Sequence, residues 1–256
     1  MSDARTVTCA REGALARIVL DRPPLNVLDI ATLAALDGIL TDLSGDPTVK
    51  VVALTGSGKA FCAGVDVADH AKGRVEHMLD LFHGAIRRLV SLDVPTVALV
   101  HGAALGGGSE LALACDIVLA RSDLKLGQPE IRLGVFPPVA AALLPRLVGR
   151  QRALELVLSG RQLDAEEAKR LGLVSHVYPV ERFDEETRGY LAGLTALSGS
   201  ALRLAKRAVT VGLDQPFEAA LERAEALYMD DLLATHDAHE GIAAFLAKRA
   251  PVWAEA

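Results

Sequence analysis

Leu105-Gly106-Gly107-Gly108-Ser109-Glu110-Leu111 places three glycines directly ahead of a helix-forming run that carries a carboxylate one turn in. Residues 97–100 before it are short and apolar, as a buried strand should be, and residues 111–114 after it are good helix formers. Glycine at such a junction lets the backbone come close to a ligand and take angles closed to other residues. The first N–H groups of the helix have no internal partner, and the helix dipole adds positive charge there. The junction is therefore a place to hold an oxyanion with a base beside it. Tight packing by the glycines and helix capping by Glu110 are the ordinary alternatives. A dinucleotide fingerprint fails because the last glycine of GxGxxG is missing, and Ser109 lacks the glycine two residues later that a nucleophile elbow requires.

Working outward, residues 16–20, 49–54, 97–100, 116–120 and 173–177 read as short strands, with helical patterns over 29–43 and 75–92. Strands alternating with helices point to an α/β fold with largely parallel pairing. From about residue 181 the pattern is helical only, over 181–197, 200–211, 216–233 and 237–248. Leu221, Leu227, Leu232 and Phe245 make this tail too apolar to stand alone, so it must pack on the body or on another subunit.

Two further glycine-bearing junctions follow predicted strands. Gly56-Ser57-Gly58-Lys59-Ala60-Phe61-Cys62-Ala63-Gly64-Val65-Asp66 offers free backbone donors but fails the phosphate-loop pattern, since Lys59 is followed by Ala60. Leu126-Gly127-Gln128-Pro129-Glu130-Ile131 puts Glu130 in a first helical turn, because proline is favoured there. In parallel α/β folds the carboxyl ends of strands face a shared crevice. If the three junctions converge, they supply backbone N–H groups and two carboxylates around one substrate, a set suited to enolate chemistry.

The 256 residues are enough for an enzyme-sized core, which 51% hydrophobic and only 4% aromatic content makes aliphatic. With 27 basic and 33 acidic residues the net charge is -6, and no basic run stands out, which argues against nucleic acid as the main partner. No stretch has the length and composition of a membrane span, and Met1-Ser2-Asp3-Ala4-Arg5 is not followed by an apolar leader, so a cytosolic location is expected. Cys9, Cys62 and Cys115 show no metal-ligand spacing, so reduced, mostly buried thiols and no metal site are expected.

At these motifs the chain resembles the crotonase, or enoyl-CoA hydratase/isomerase, superfamily. The likeness runs nearly end to end, from Asp21-Arg22-Pro23 with Leu25-Asn26, through the three junctions and Cys115-Asp116, to Arg170-Leu171-Gly172-Leu173-Val174 and Glu240-Gly241 with Lys248-Arg249. The resemblance implies a spiral of strand-strand-helix turns over 1–195 and a C-terminal helical region over 196–256 used in trimer contacts, with a homotrimer or a hexamer of two trimers. It implies an acyl-CoA substrate and no separate cofactor. It places the oxyanion hole at the N–H groups of Ala63 and Gly107, CoA contacts at Ala63, Gly64, Val65, Asp66 and Lys248, and the catalytic pair at Glu110 and Glu130. Glu110 would activate water and Glu130 would protonate the α carbon, in roles that could be reversed or shared.

The chain departs from the usual hydratase pattern at Phe136-Pro137-Pro138-Val139, expected to line the acyl end of the pocket, and at Pro24-Leu25-Asn26-Val27-Leu28-Asp29, where a basic residue is missing. Both departures resemble cyclohexa-1,5-diene-1-carbonyl-CoA hydratases. The alternatives are a short-chain or branched enoyl-CoA hydratase such as a methylglutaconyl-CoA hydratase, an enoyl-CoA isomerase, and a non-catalytic acyl-CoA or RNA-binding protein on the same fold.

Overall fold

The computed structural model describes residues 6–254. Met1 to Arg5, where the sequence reading found no leader, and Glu255 and Ala256 lie outside the described residues. The chain opens with an antiparallel pair, β1 (Val7–Glu12) and β2 (Leu15–Leu20), followed by helix α1 (Ile30–Leu43), strand β3 (Val51–Gly56), helix α2 (Val75–Ser91) and strand β4 (Thr96–Val100). Next come β5 (Ala103–Leu105), α3 (Gly107–Leu113), β6 (Ile117–Arg121) and β7 (Lys125–Gly127), then α4 (Pro138–Val148), α5 (Arg150–Ser159), β8 (Gln162–Asp164), α6 (Ala165–Arg170) and β9 (His176–Tyr178). Helices α7 (Phe183–Thr195), α8 (Gly199–Val211), α9 (Phe217–Ala226) and α10 (His236–Leu246) complete it, with a π-helical turn Leu227–Leu232 between the last two.

Two sheets result. The larger has the order β1-β2-β3-β4-β6-β9 and is parallel from β2 onward, and the smaller has the order β5-β7-β8. The large sheet is buried on both faces, which is why its strands read as continuous apolar runs. Alternation divides them: Val52, Leu54, Ala98, Val100 and Ala120 join the main core, while Val51, Ala53, Val97, Leu99 and Leu119 pack with Phe183 and Leu191 of α7. The main core is closed by α1 through Leu33, Leu36, Leu40 and Leu43, and by α2 through Met78, Phe82, Ala85, Ile86 and Leu89, both sets at helical spacing. Asp29 caps α1 by accepting from the Thr32 N–H, as the acidic start of that pattern implied.

Several expectations need correction. The first strand, β1, was not read because Thr8 to Glu12 are exposed on an edge and show no alternating burial. Residues 173–174 are buried but belong to the turn after α6, so β9 starts three residues later than expected. Helices α4, α5 and α6 fill a stretch with no expected element. The 216–233 pattern is not one helix, since it passes from α9 into the π-helical turn.

The tail is tied to the body by polar contacts. Lys206 Nζ lies 2.7 Å from the Asp116 carboxylate, Arg203 donates to the Val49 carbonyl at 2.7 Å, and Lys50 Nζ donates to the Leu197 carbonyl at 2.9 Å. Its large apolar side chains Val209, Leu213, Phe217, Met229, Phe245 and Leu246 are all exposed in the single chain.

Candidate active site

The three glycine-bearing junctions meet at one cavity of about 270 Å³. Ala63, Gly64 and Val65 come from the first, Gly106, Gly107 and Glu110 from the second, and Pro129 and Glu130 from the third. Backbone pairing brings them together. Leu105 is in register with Gly127 in the small sheet, and the Gly106 N–H donates to the Gly127 carbonyl at 2.9 Å, so the segments bearing the two glutamates begin side by side. A lone parallel bridge between Cys62 and Ala104 attaches the first junction to the same strand. Gly106 takes φ 52° and has the Glu130 carboxylate where a Cβ would lie, and a Cβ at Gly108 would stand 2.2 Å from the Cys62 carbonyl oxygen. Only glycine fits either position.

The backbone N–H groups left free at the cavity differ from the expected pair. The Ala63 N–H donates to the Leu25 carbonyl at 2.9 Å, which leaves it unavailable to a substrate. Val65 is the alternative that the backbone leaves open. In its parallel bridge with Leu28 the bonds run from the Leu28 N–H to the Gly64 carbonyl and from the Asp66 N–H to the Leu28 carbonyl, so the Val65 N–H itself points away from the bridge. Gly107 opens α3, where its N–H has no helical acceptor. A Cβ on Gly107 would stand 2.6 Å from Val65 Cγ2, so the Val65 side chain packs directly on Gly107 in the cavity wall.

The two carboxylates are held differently. Glu110 is 3% exposed, and its Oε1 accepts from the Ala140 N–H at 2.7 Å. It thus caps the start of α4, whose first residues follow Pro137 and have no side-chain cap of their own, rather than the helix it sits on. Burial pushes its carboxyl up to about 7; the Ala140 N–H opposes this and the neighbouring Glu130 reinforces it. Glu130 sits in a 3₁₀ turn, Pro129–Leu133, as its proline suggested. Burial also raises its carboxyl, and its Oε2 is buried with no hydrogen-bond partner. Burial thus disfavours the charged form of both carboxylates in one cavity.

The cavity wall is apolar. Met78, Leu79 and Phe82 of α2 form one side, and Phe136, Pro137 and Pro138 form another. Val139, expected beside them, does not line it; its side chain packs on the main core while its backbone N–H faces Glu110. Asp66 caps the 3₁₀ turn Val67–His70 through the Ala68 N–H at 3.0 Å and lies outside the lining, as does Lys248 just beyond α10. Ser109 is buried and accepts from Gln128 Nε2 at 3.1 Å. The sequence reading missed the α2 residues and His70. The amphipathic repeat over 75–91 was the available signal, but its apolar face looks the same whether it meets core or substrate.

A larger cleft of about 550 Å³ lies between α7 and the ends of β3, β4 and β6. Arg17 is paired there with Glu12, and Arg121 with the nearby Asp123, while Asp184 and Arg188 of α7 also line it. Glu110 and Glu130 line the smaller, apolar cavity and not this cleft. Cys62 and Cys115 are free and buried, with thiols pushed up to about 12, while Cys9 is exposed. Among the described residues no group of three or more His, Cys, Asp and Glu is placed to hold a metal ion, and no helix is long and apolar enough to cross a membrane.

The family model described as Enoyl-CoA hydratase/isomerase matches residues 10–256. Cyclohexa-1,5-dienecarbonyl-CoA hydratase of Thauera aromatica is 38% identical over 256 residues, covering 99% of each chain. Crotonyl-CoA hydratase of Syntrophomonas wolfei is 35% identical over 245 residues, covering 93% of this chain and 94% of that one. The solved structure of an enoyl-CoA hydratase from Bacillus anthracis superposes with a TM-score of 0.93 at 34% identity, over 98% of this chain and 100% of the other. The α/β architecture is thus shared along its whole length.

Proposed function

The chain belongs to the enoyl-CoA hydratase/isomerase family and is a hydratase-type lyase acting on acyl-CoA thioesters, and we propose that it does so through Glu110, Glu130 and the backbone N–H groups of Val65 and Gly107. The single observation that carries this reading is the convergence of two carboxylates, one almost wholly buried and one with a buried oxygen, on an apolar cavity whose lining also includes two backbone N–H groups without acceptors. The N–H groups receive the thioester oxygen as it gains charge. In a water-poor site such donors stabilise the enolate far more than they stabilise the ground-state carbonyl. Ionised Glu110 takes a proton from water as the water oxygen bonds to the β carbon. Neutral Glu130 delivers its proton to the α carbon as the carbonyl reforms.

For the acyl group we propose cyclohexa-1,5-diene-1-carbonyl-CoA. Two things support this: the similarity to the Thauera aromatica protein, and the position of Phe136-Pro137-Pro138 on the cavity wall. A compact ring suits a wall built from proline and phenylalanine. The C-terminal region over 196–256 is proposed to join copies of the chain into a trimer or a dimer of trimers, since its exposed apolar residues have nothing to cover them within one chain. Incubation with crotonyl-CoA, methylglutaconyl-CoA and the cyclic dienoyl-CoA, followed by mass spectrometry, tests the reading. The cyclic substrate should gain one water fastest. Preference for either acyclic thioester overturns the substrate assignment, and no hydration of any of the three overturns the roles given to the site.

A further inference from the structure

Three titratable side chains line the cavity: Glu110, Glu130 and His70. They differ in access to water. Glu110 is almost wholly buried and Glu130 keeps one oxygen buried without a partner, whereas His70 is exposed at the cavity mouth. The turn Val67–His70 that presents it is pinned on both sides. Asp66 caps its start, and buried Asp69 accepts from the Ile30 N–H at 3.0 Å and from Arg74 Nε at 2.9 Å. His70 Nδ1 lies 3.1 Å from the Asp66 carbonyl oxygen. A carbonyl only accepts, so Nδ1 carries the hydrogen and Nε2 is the nitrogen left to gain and release a proton. His70 and Glu130 line the same cavity, His70 on its solvent side.

Hydration leaves the two carboxyls with their protonation exchanged, and this must be undone before the next turnover. When water adds, Glu110 takes a proton from it, the π electrons move onto the thioester oxygen, and Glu130 gives a proton to the α carbon. The product therefore forms with Glu110 neutral and Glu130 ionised, the reverse of the starting state. We propose that His70 is the proton relay that resets the site. Protonated His70 passes its Nε2 proton through water at the cavity mouth to the Glu130 carboxylate and regains one from solvent, while the proton on Glu110 leaves to water entering as product departs. One proton enters and one leaves per turnover, and no oxidant or further reactant is involved. The inference rests on the acid–base roles proposed above and assigns their missing link to solvent.

Rapid-quench kinetics of His70→Gln and His70→Met, using the thioester that the wild type hydrates fastest, test it. Gln keeps a donor for the Asp66 carbonyl but cannot exchange a proton. The first turnover should stay within about threefold of wild type while steady-state kcat falls about tenfold, giving a product burst that the wild type lacks, with unchanged melting curves. Added imidazole should restore steady-state kcat as its concentration rises. Unchanged steady-state kcat in both variants overturns the relay, and so does a slowed first turnover that imidazole does not rescue, since that is the signature of a positioning role. A wild type that hydrates no thioester in the panel removes the acid–base reading beneath it instead.

Discussion

Glu110 holds the start of α4 through the Ala140 N–H, and the burial that allows this pushes its carboxyl from an ordinary 4.5 up to about 7. A carboxyl raised on folding favours the folded state fully below its unfolded value, and that contribution is lost as pH rises through the folded value. Between about pH 5 and 8 the wild type should therefore lose stability on the order of 3 kcal/mol through this group, at 1.36 kcal/mol per pKa unit. Glu110→Gln keeps an acceptor for the Ala140 N–H and cannot ionise. It is expected to melt above the wild type at pH 8, with the gap closing toward pH 5, and to lose roughly 10²–10⁴ in kcat while still binding acyl-CoA. A melting gap independent of pH would refute the burial argument. The base role proposed for Glu110 gives catalysis the opposite dependence: kcat/KM should climb as pH rises through about 7, measured under conditions where the fold is intact.

At the scale of elements, the glycines of the second junction are fixed by what crosses them. Gly108 lies against the Cys62 carbonyl, at a point where the first junction pairs with β5, so the loop bearing Val65 and the helix bearing Glu110 touch through backbone alone. Gly108→Ala would force apart two backbones that cannot rotate away from the contact. It should lower the melting temperature by several degrees and abolish hydration, whereas Gly38→Ala, in open space inside α1, should raise the melting temperature slightly through its better helix propensity and leave hydration unchanged. Thermal melts and turnover of the two variants check this. The same pairing explains why the glutamates were legible in the sequence and one donor was not. Gly-rich runs and Pro129-Glu130 mark the junctions residue by residue. Which N–H of the Ala63-Gly64-Val65 run is free depends on the Leu25 carbonyl and the Leu28 bridge, nearly forty residues upstream, and no local pattern encodes that.

For the whole molecule, the exposed apolar side chains of α8, α9 and α10 set an expectation about assembly. Sedimentation velocity should give a trimer or hexamer. Phe245→Asp together with Met229→Asp, both on exposed positions, should shift the chain toward monomer without unfolding the body, and a wild-type monomer would overturn the proposed role of the tail. The sequence by itself determined the α/β alternation, the buried parallel strands, the Asp29 cap of α1 and the placing of Glu110 and Glu130 in the first turn after a glycine-bearing junction, because each rests on composition or periodicity within a dozen residues. Tertiary structure alone decided that Glu110 caps α4 rather than its own helix, that Val65 and not Ala63 faces Gly107, that Val139 turns to the core, and that His70 stands at the mouth of the cavity. Those outcomes depend on contacts between segments far apart in the chain, where backbone hydrogen bonds and burial choose among residues that look alike in sequence.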